Sequence, residues 1–290
     1  MNESANLSFS ADLAPPKLSE DSLRLVLELL NRRFGFQFHR SSQEMARTRI
    51  ARHMEELGLA DLRDYYYRLL YDPEGDAELD NLFELLVNNE TYFFREESQI
   101  WTFADEILSQ RLTARPESRI RVWCAGCSTG EEPYSLAIAT LERQGPRANR
   151  VEIFGSDQSR KALDRGRMGN FSSFAFRSTP PELRKKYFEA ESKNRWRIVP
   201  AVRRMVQFGR CNLLGSAGDL PLVKFDAIFC RNVLIYFDRE ARRQVINLFY
   251  ERLAEGGYLF LGHSESLLDL SDRFEFAQLS QDVAYRRDAP

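Results

Sequence analysis

The chain has 290 residues, 43% hydrophobic and 29% charged, and its 41 Lys and Arg nearly balance 43 Asp and Glu for a formal net charge of −2. That balance argues against general nucleic-acid binding, while leaving room for a local basic patch. No apolar run approaches the roughly 20 residues of a membrane span and the first residues lack a basic-plus-apolar leader, so we expect a cytoplasmic protein without membrane insertion.

Residues 1–16 mix Ser, Asn and Ala with a Pro15-Pro16 pair and no periodicity, which predicts a disordered leader. Residues 17–87 read as a small helical domain of four amphipathic helices. Leu23, Val26, Leu27 and Leu30 mark the first apolar stripe, Ala46, Ile50, Met54 and Leu57 the second, and Leu62, Tyr65, Tyr66 and Leu69 the third; the fourth helix spans about Glu74 to Val87. From Arg119 the pattern changes to apolar strands alternating with helices, the signature of a doubly wound α/β fold. Strands are predicted near 119–124, 151–156, 204–208, 225–230 and 257–262, with a closing hairpin at 273–278 and 283–287. Helices are predicted at 131–143 and 239–253. Residues 166–200 interrupt the alternation as an inserted subdomain, in which Trp196-Arg197-Ile198-Val199 is the only strand-like piece. We therefore expect the larger domain over residues 88–290, with no internal repeat.

Ligands of a doubly wound sheet bind outside the carboxyl ends of its strands. The first predicted strand ends in Cys-Ala-Gly-Cys-Ser-Thr-Gly-Glu-Glu-Pro-Tyr (124–134), where Gly126 and Gly130 permit close backbone approach. Glu131 and Glu132 suit the positive end of the following helix but would repel a phosphate placed there. The second strand ends at Asp157, an acid placed to bind ribose hydroxyls. The turn lacks the G-x-G-x-x-G pattern and the G-K-[ST] lysine, so dinucleotides and nucleoside triphosphates fit poorly. S-adenosylmethionine, with a sulfonium, an ammonium and no phosphate, tolerates the acids. The Cys124/Cys127 spacing could suggest a redox or zinc site, but no second Cys pair or nearby His completes a metal set, and small residues packing a turn fit better.

Asn-Asn-Glu-Thr-Tyr-Phe-Phe-Arg (88–95), Ala-Gly-Cys-Ser-Thr-Gly-Glu-Glu-Pro-Tyr-Ser (125–135), Phe-Asp-Ala-Ile-Phe-Cys-Arg-Asn-Val-Leu-Ile-Tyr-Phe (225–237) and Gly-His-Ser-Glu-Ser (262–266) resemble the bacterial chemotaxis receptor methyltransferase (CheR) family. The resemblance covers nearly everything from about residue 18. It implies a class I, Rossmann-like S-adenosylmethionine-dependent methyltransferase: a seven-stranded mixed sheet, a small N-terminal all-α domain and a small β insertion. The implied reaction is protein-glutamate O-methylation (EC 2.1.1.80 type), giving glutamate methyl esters on chemoreceptors and S-adenosylhomocysteine as product. Carried onto this chain, the cofactor contacts fall on Asn89, Thr91, Arg95, the acidic pair with Glu132 favoured, Asp157, Asn212, Leu213, Asn232 and Val233, with Gly126 in the turn. A glutamate carboxylate is already ionised at neutral pH, so alignment matters more than a base. Arg95 is expected to orient a carboxylate and Tyr236 to fix the nucleophile's approach by a hydrogen bond. His263, after the fifth strand, is expected to hydrogen bond locally rather than act as a base.

Six arginines lie between Asn31 and Met54, at positions 32, 33, 40, 47, 49 and 52, against one acid, Glu44. Arg49 and Arg52 are expected to share an exposed helix face that docks the acidic cytoplasmic helical domain of a receptor. The stretch Glu189–Arg195 lacks the glycine that accompanies binding of a C-terminal pentapeptide tether in the family, so a tether-independent enzyme is expected. We expect a monomer with no metal. Two other readings remain: an adaptor that binds the cofactor without turnover, and a methyltransferase for another protein or small molecule.

Overall fold

The protein is described from a computed structural model that defines residues 18–215 and 218–288, apart from the side chains of Arg40 and Ser41. The leader expected over residues 1–16 lies outside the described residues. The chain divides into two compact units: the first holds the described residues up to Arg32 together with Gln37–Val87, the second Arg33–Phe36 and the described residues from Asn88 onward.

The helical unit consists of α1 (Glu20–Phe34), α2 (Arg40–Glu56), α3 (Leu62–Tyr71) and α4 (Gly75–Leu86). Each buries one stripe, because apolar residues three and four apart share a helix face. Val26, Leu30, Ala46, Ile50, Met54, Leu62, Tyr65 and Leu82 are fully enclosed, whereas Leu57 and Tyr66 are half-buried. A polar cluster interrupts this core. The Glu78 carboxylate accepts the Tyr65 hydroxyl at 2.7 Å and lies 2.6 Å from His53 Nε2. Burial alone would raise the pKa of Glu78, but the hydrogen bonds from Tyr65 and His53 outweigh it and hold the carboxyl below its usual range.

The second unit opens with a helix that runs from α5 (Glu97–Thr102) through a π-turn (Phe103–Ile107) into α6 (Leu108–Ala114). No element is predicted from the sequence between residues 95 and 119, although Ile100, Phe103, Ala104, Ile107, Leu108 and Leu112 recur at helical spacing and are all buried. Alternation then begins with β1 (Ile120–Ala125), α7 (Glu131–Gln144), β2 (Val151–Asp157) and α8 (Arg160–Met168). The insertion contains β3 (Asn170–Ser172), α9 (Pro181–Tyr187), β4 (Phe188–Ser192), β5 (Arg195–Ile198) and α10 (Pro200–Arg203). The main sheet resumes with β6 (Val206–Arg210), β7 (Phe225–Cys230), α11 (Arg239–Arg252), β8 (Leu253–Leu261), β9 (Phe274–Gln278) and β10 (Val283–Arg287).

Seven strands form one sheet in the order β6-β2-β1-β7-β8-β10-β9. The first five of these are parallel, and β10 is antiparallel to both β8 and β9. Neighbouring β1 and β7 send the chain in opposite directions across the sheet, so the crevice above their carboxyl ends is the topological switch point where such sheets take ligands. The insertion carries a second sheet, β3-β5-β4, and so holds three antiparallel strands rather than the single strand-like piece expected. Phe188 is the one buried residue of β4; the other four are exposed and polar or small, leaving little apolar alternation to read. Phe93 locks this insertion to the strand ends, its ring lying 4.7 Å from Phe171, 5.2 Å from Phe176 and 4.8 Å from Phe188.

Tyr65→Phe removes one donor from the buried Glu78 carboxylate and should lower the stability of the helical unit by about 1–3 kcal/mol at neutral pH. A carboxyl whose folded pKa is depressed stabilises above its unfolded pKa and loses that contribution as pH falls through the folded value, so the deficit should shrink in acid. Urea unfolding of both proteins at neutral and acid pH measures this; equal midpoints at neutral pH contradict it.

Candidate active site

The turn after β1 is tied to the end of β2. Gly126 N and Cys127 N both donate to Ser156 O, at 2.8 and 2.9 Å, and Ser128 N donates to Asp157 Oδ2 at 2.8 Å. The other oxygen of Asp157 accepts Ser159 N at 2.9 Å. Gly126 has φ +75°, and a Cβ there would lie 2.5 Å from Val233 Cγ2. Only glycine lets the end of β7 close onto the turn.

The two acids of the turn have separate surroundings. Glu131 is buried, accepts Thr129 Oγ1 at 2.6 Å, and is pushed up in pKa by burial. Glu132 accepts Arg231 Nε at 2.6 Å. Arg231, to which sequence reasoning gives no role, has a side chain only 2% exposed. Its Nη1 donates to the carbonyls of Arg95 and Glu96, at 2.8 and 3.3 Å. Those carbonyls turn towards it because Phe94 and Glu96 adopt left-handed backbone, φ 58° and 49°. Glu132 is thus an acid already neutralised by a cation of the protein, which its place in the turn's composition does not reveal.

Two buried acceptors beside this ion pair lack a hydrogen-bond donor: Asn232 Oδ1 and Glu96 Oε2, the latter 3.7 Å from Arg231 Nη1. Buried polar atoms are ordinarily paired, so two orphaned acceptors mark a place for a ligand that brings N–H donors. An ammonium fits that requirement and a phosphate does not. The close approach of Val233 to Gly126 and the Asp157 carboxylate at the end of β2 complete a set that suits an amino-acid-bearing nucleoside such as S-adenosylmethionine.

Asn89 is half-buried and its carbonyl accepts Ser128 Oγ at 3.1 Å, which ties the 88–95 segment to the glycine turn. Thr91 is half-buried beside it. Arg95 reaches back to Glu90 O at 3.4 Å, and its guanidinium lies 5.8 Å from the Tyr92 ring. Tyr236 stacks on Phe36 with ring centroids 4.9 Å apart. Burial raises the pKa of the Tyr236 hydroxyl, and the nearby positive charge of Arg95 opposes that rise.

At the other edge, Asn212 accepts Leu214 N at 3.1 Å and donates to Arg33 O at 3.0 Å, while Leu213 is buried. A cleft of about 420 Å³ opens beside Asn212, bounded also by Gln158, Arg160, Arg167 and Arg210. Cys211 N donates to Asp157 O at 3.1 Å, so this edge is continuous with the ribose-binding candidate. His263 Nε2 lies 3.0 Å from Asp282 Oδ2, a local partner on the closing hairpin.

The docking pair needs correction. Arg52 is exposed and within 3.3 Å of Glu56, but Arg49 is half-buried and donates to Leu85 O at 2.8 Å. The last carbonyls of α4 lack helical partners and draw this guanidinium inward, so the two arginines do not share one exposed face. The four cysteines are free and buried. Burial pushes the thiols of Cys124, Cys127 and Cys230 well above their ordinary range and Cys211 up to about 11, which disfavours thiolate chemistry. Among the described residues, no group of three His, Cys, Asp or Glu is arranged to hold a metal ion.

Comparison with known proteins agrees with this geometry. Residues 89–283 match the family described as CheR methyltransferase, SAM binding domain, and residues 21–87 match CheR methyltransferase, all-alpha domain. Chemotaxis protein methyltransferase 2 of Vibrio cholerae serotype O1 is 36% identical over 253 residues, covering 87% of each chain. Chemotaxis protein methyltransferase 1 of Pseudomonas aeruginosa is 34% identical, covering 89% of this chain and 94% of the relative. Chemotaxis protein methyltransferase of Escherichia coli K12 is 32% identical, covering 89% and 88%. With its S-adenosylmethionine-binding domain and helical domain both matched, the chain belongs to the CheR family of chemotaxis protein methyltransferases.

Proposed function

We propose that the chain methylates glutamate side-chain carboxylates in the cytoplasmic helical domain of chemoreceptors, forming methyl esters, and that it does so in the cytoplasm as a protein-glutamate O-methyltransferase. The observation that carries this reading is the pair of buried acceptors without donors, Asn232 Oδ1 and Glu96 Oε2, beside the Glu132–Arg231 ion pair and next in the chain to Arg95. The names of the relatives support the chemotaxis setting.

S-adenosylmethionine supplies a methyl group made electrophilic by its sulfonium. Asn89, Thr91, Gly126, Asp157, Asn212, Leu213, Asn232 and Val233 hold the donor in this proposal: Asp157 takes the ribose hydroxyls, Asn212 and Leu213 the adenine, and Asn232 Oδ1 the ammonium. Glu132 contributes through its pair with Arg231. The target carboxylate, with an ordinary pKa of about 4.3, is ionised at neutral pH and needs no base. Arg95 orients a carboxylate, and Tyr236, a phenol protonated at neutral pH, donates a hydrogen bond that fixes the approach.

Receptor docking falls to the exposed Arg52 and not to Arg49, whose charge is spent on the carbonyls of α4. The turn between β4 and β5, Lys193-Asn194, contains no glycine, which supports a tether-independent enzyme.

Incubation with methyl-labelled S-adenosylmethionine and receptor cytoplasmic fragments should give label released as methanol by alkali; alkali-stable label contradicts ester formation. Arg95→Ala should lower kcat/KM by about 100-fold or more with the thermal transition unchanged, and near-normal turnover would remove its role. Arg52→Glu should raise the receptor KM roughly three- to tenfold without altering kcat, and an unchanged KM contradicts docking there. Gly126→Ala forces a left-handed alanine against Val233 and should weaken S-adenosylhomocysteine binding by about tenfold or more; calorimetric titration showing wild-type affinity contradicts the cradle.

A further inference from the structure

Past β8 the chain enters Gly262-His263-Ser264-Glu265-Ser266, and the Glu265 side chain turns back under the end of β7. Its Oε2 accepts Asn232 N at 2.8 Å and Gly262 N at 2.8 Å. Its Oε1 accepts Val233 N at 2.9 Å and Ile235 N at 3.2 Å. Two carboxylate oxygens offer about four acceptor sites, and four backbone donors fill them. These donors lie beyond the last β7–β8 register pair, where strand pairing no longer satisfies them.

A second observation, independent of those bonds, shows that the side chain is seated in a built place. A Cβ on Gly262 would lie 2.9 Å from Asn232 N and 2.9 Å from Glu265 Oε2, so glycine is required for the carboxylate to reach the segment. Asn232 itself holds φ +60°, a left-handed conformation that asparagine tolerates better than other residues with a Cβ. The same bonds fix the course of the chain beyond Asn232. Val233 lies against Gly126, and Tyr236 N donates to Val233 O at 3.1 Å in the short turn Leu234–Tyr236.

We propose that Glu265 is a positioning residue of the methyl-donor seat: by accepting four backbone N–H groups, it fixes Asn232 and Val233 beside the glycine turn and, through Ile235, the short turn that carries Tyr236. It touches neither donor nor target. The inference rests on the reading that the Asn232–Val233 step meets the donor, and it goes beyond that reading by naming the group that holds the step in place.

Glu265→Gln keeps the shape of the side chain but replaces one acceptor oxygen with an amide NH2 that faces two N–H donors. Calorimetric titration of the full chain with S-adenosylhomocysteine should show affinity reduced at least about tenfold, with far-UV circular dichroism unchanged. Glu265→Asp, which keeps the charge but is one methylene shorter, should also fall, because it cannot span Gly262 and Val233 together. Wild-type affinity in the glutamine variant overturns the proposal, since a side chain that only fills space would tolerate that change. Hydrogen exchange of the wild-type chain gives a readout that does not depend on how either variant folds. The amides of Asn232, Val233 and Ile235 should exchange as slowly as those of β7, and exchange at the rate of an open loop overturns the proposal. Neither readout uses a receptor, so the proposal stands or falls independently of what the chain methylates.

Discussion

A guanidinium almost wholly removed from water, that of Arg231 at the end of β7, sets the geometry on which the site depends. Burying an unpaired cation is strongly unfavourable, and Arg231 is satisfied from two directions: Glu132 in the first turn of α7, and the carbonyls of Arg95 and Glu96 in the segment that enters α5. One side chain thereby joins the central strand, the helix after the glycine turn and the backbone of Arg95. The Arg95 side chain extends from a main chain that cannot shift without leaving a buried charge unpaired. Such a pair contributes less through net stability than through the single arrangement it permits, which is what an alignment-driven reaction requires.

Backbone strain is concentrated in the same place. Among the described residues, the non-glycine positions with positive φ are Phe94, Glu96, Ser128, Asn232 and Asp269, and all but Asp269 border the switch point between β1 and β7. Left-handed backbone costs a residue with a Cβ free energy, least at asparagine and aspartate, so surrounding bonds favour it most at Phe94, Glu96 and Ser128. Ser135 holds Phe94 through its amide, Arg231 holds Glu96 through its carbonyl, Asp157 holds Ser128 through its amide, and Glu265 holds Asn232. Three buried or half-buried charges thus act on main-chain groups, leaving Asn232 Oδ1 and Glu96 Oε2 without donors. At the switch point the two side-chain acceptors without donors favour a ligand carrying N–H groups.

The parts legible in the sequence are those with a local signal. Helical stripes in residues 18–87, the apolar strands and the glycine turn all arise from spacing, and Asp157 from its position after a strand. The helix over Glu97–Ala114 carries the same kind of signal, blurred by a π-turn that adds a residue to its period. The strands β3 and β4 are short and largely exposed, so alternation does not reveal them. Arg231, Glu265 and Arg49 are hidden for a different reason. A charged residue reads as a surface residue until its partner is known, and these partners come from distant chain: Glu132 for Arg231, Asn232 and Val233 for Glu265, Leu85 for Arg49. Charge composition therefore overstates the acidity of the glycine turn and the exposure of the basic helix.

A crystal structure of the chain with S-adenosylhomocysteine tests most directly the claim that the carboxyl ends of β1, β2, β6 and β7, with the 88–95 segment, form one seat for the methyl donor. The ribose hydroxyls should meet Asp157, the adenine should lie at Asn212 and Leu213, and the ammonium should supply the donor that Asn232 Oδ1 lacks. A ligand bound away from the Gly126 turn, with Asn232 Oδ1 still unsatisfied, would contradict it.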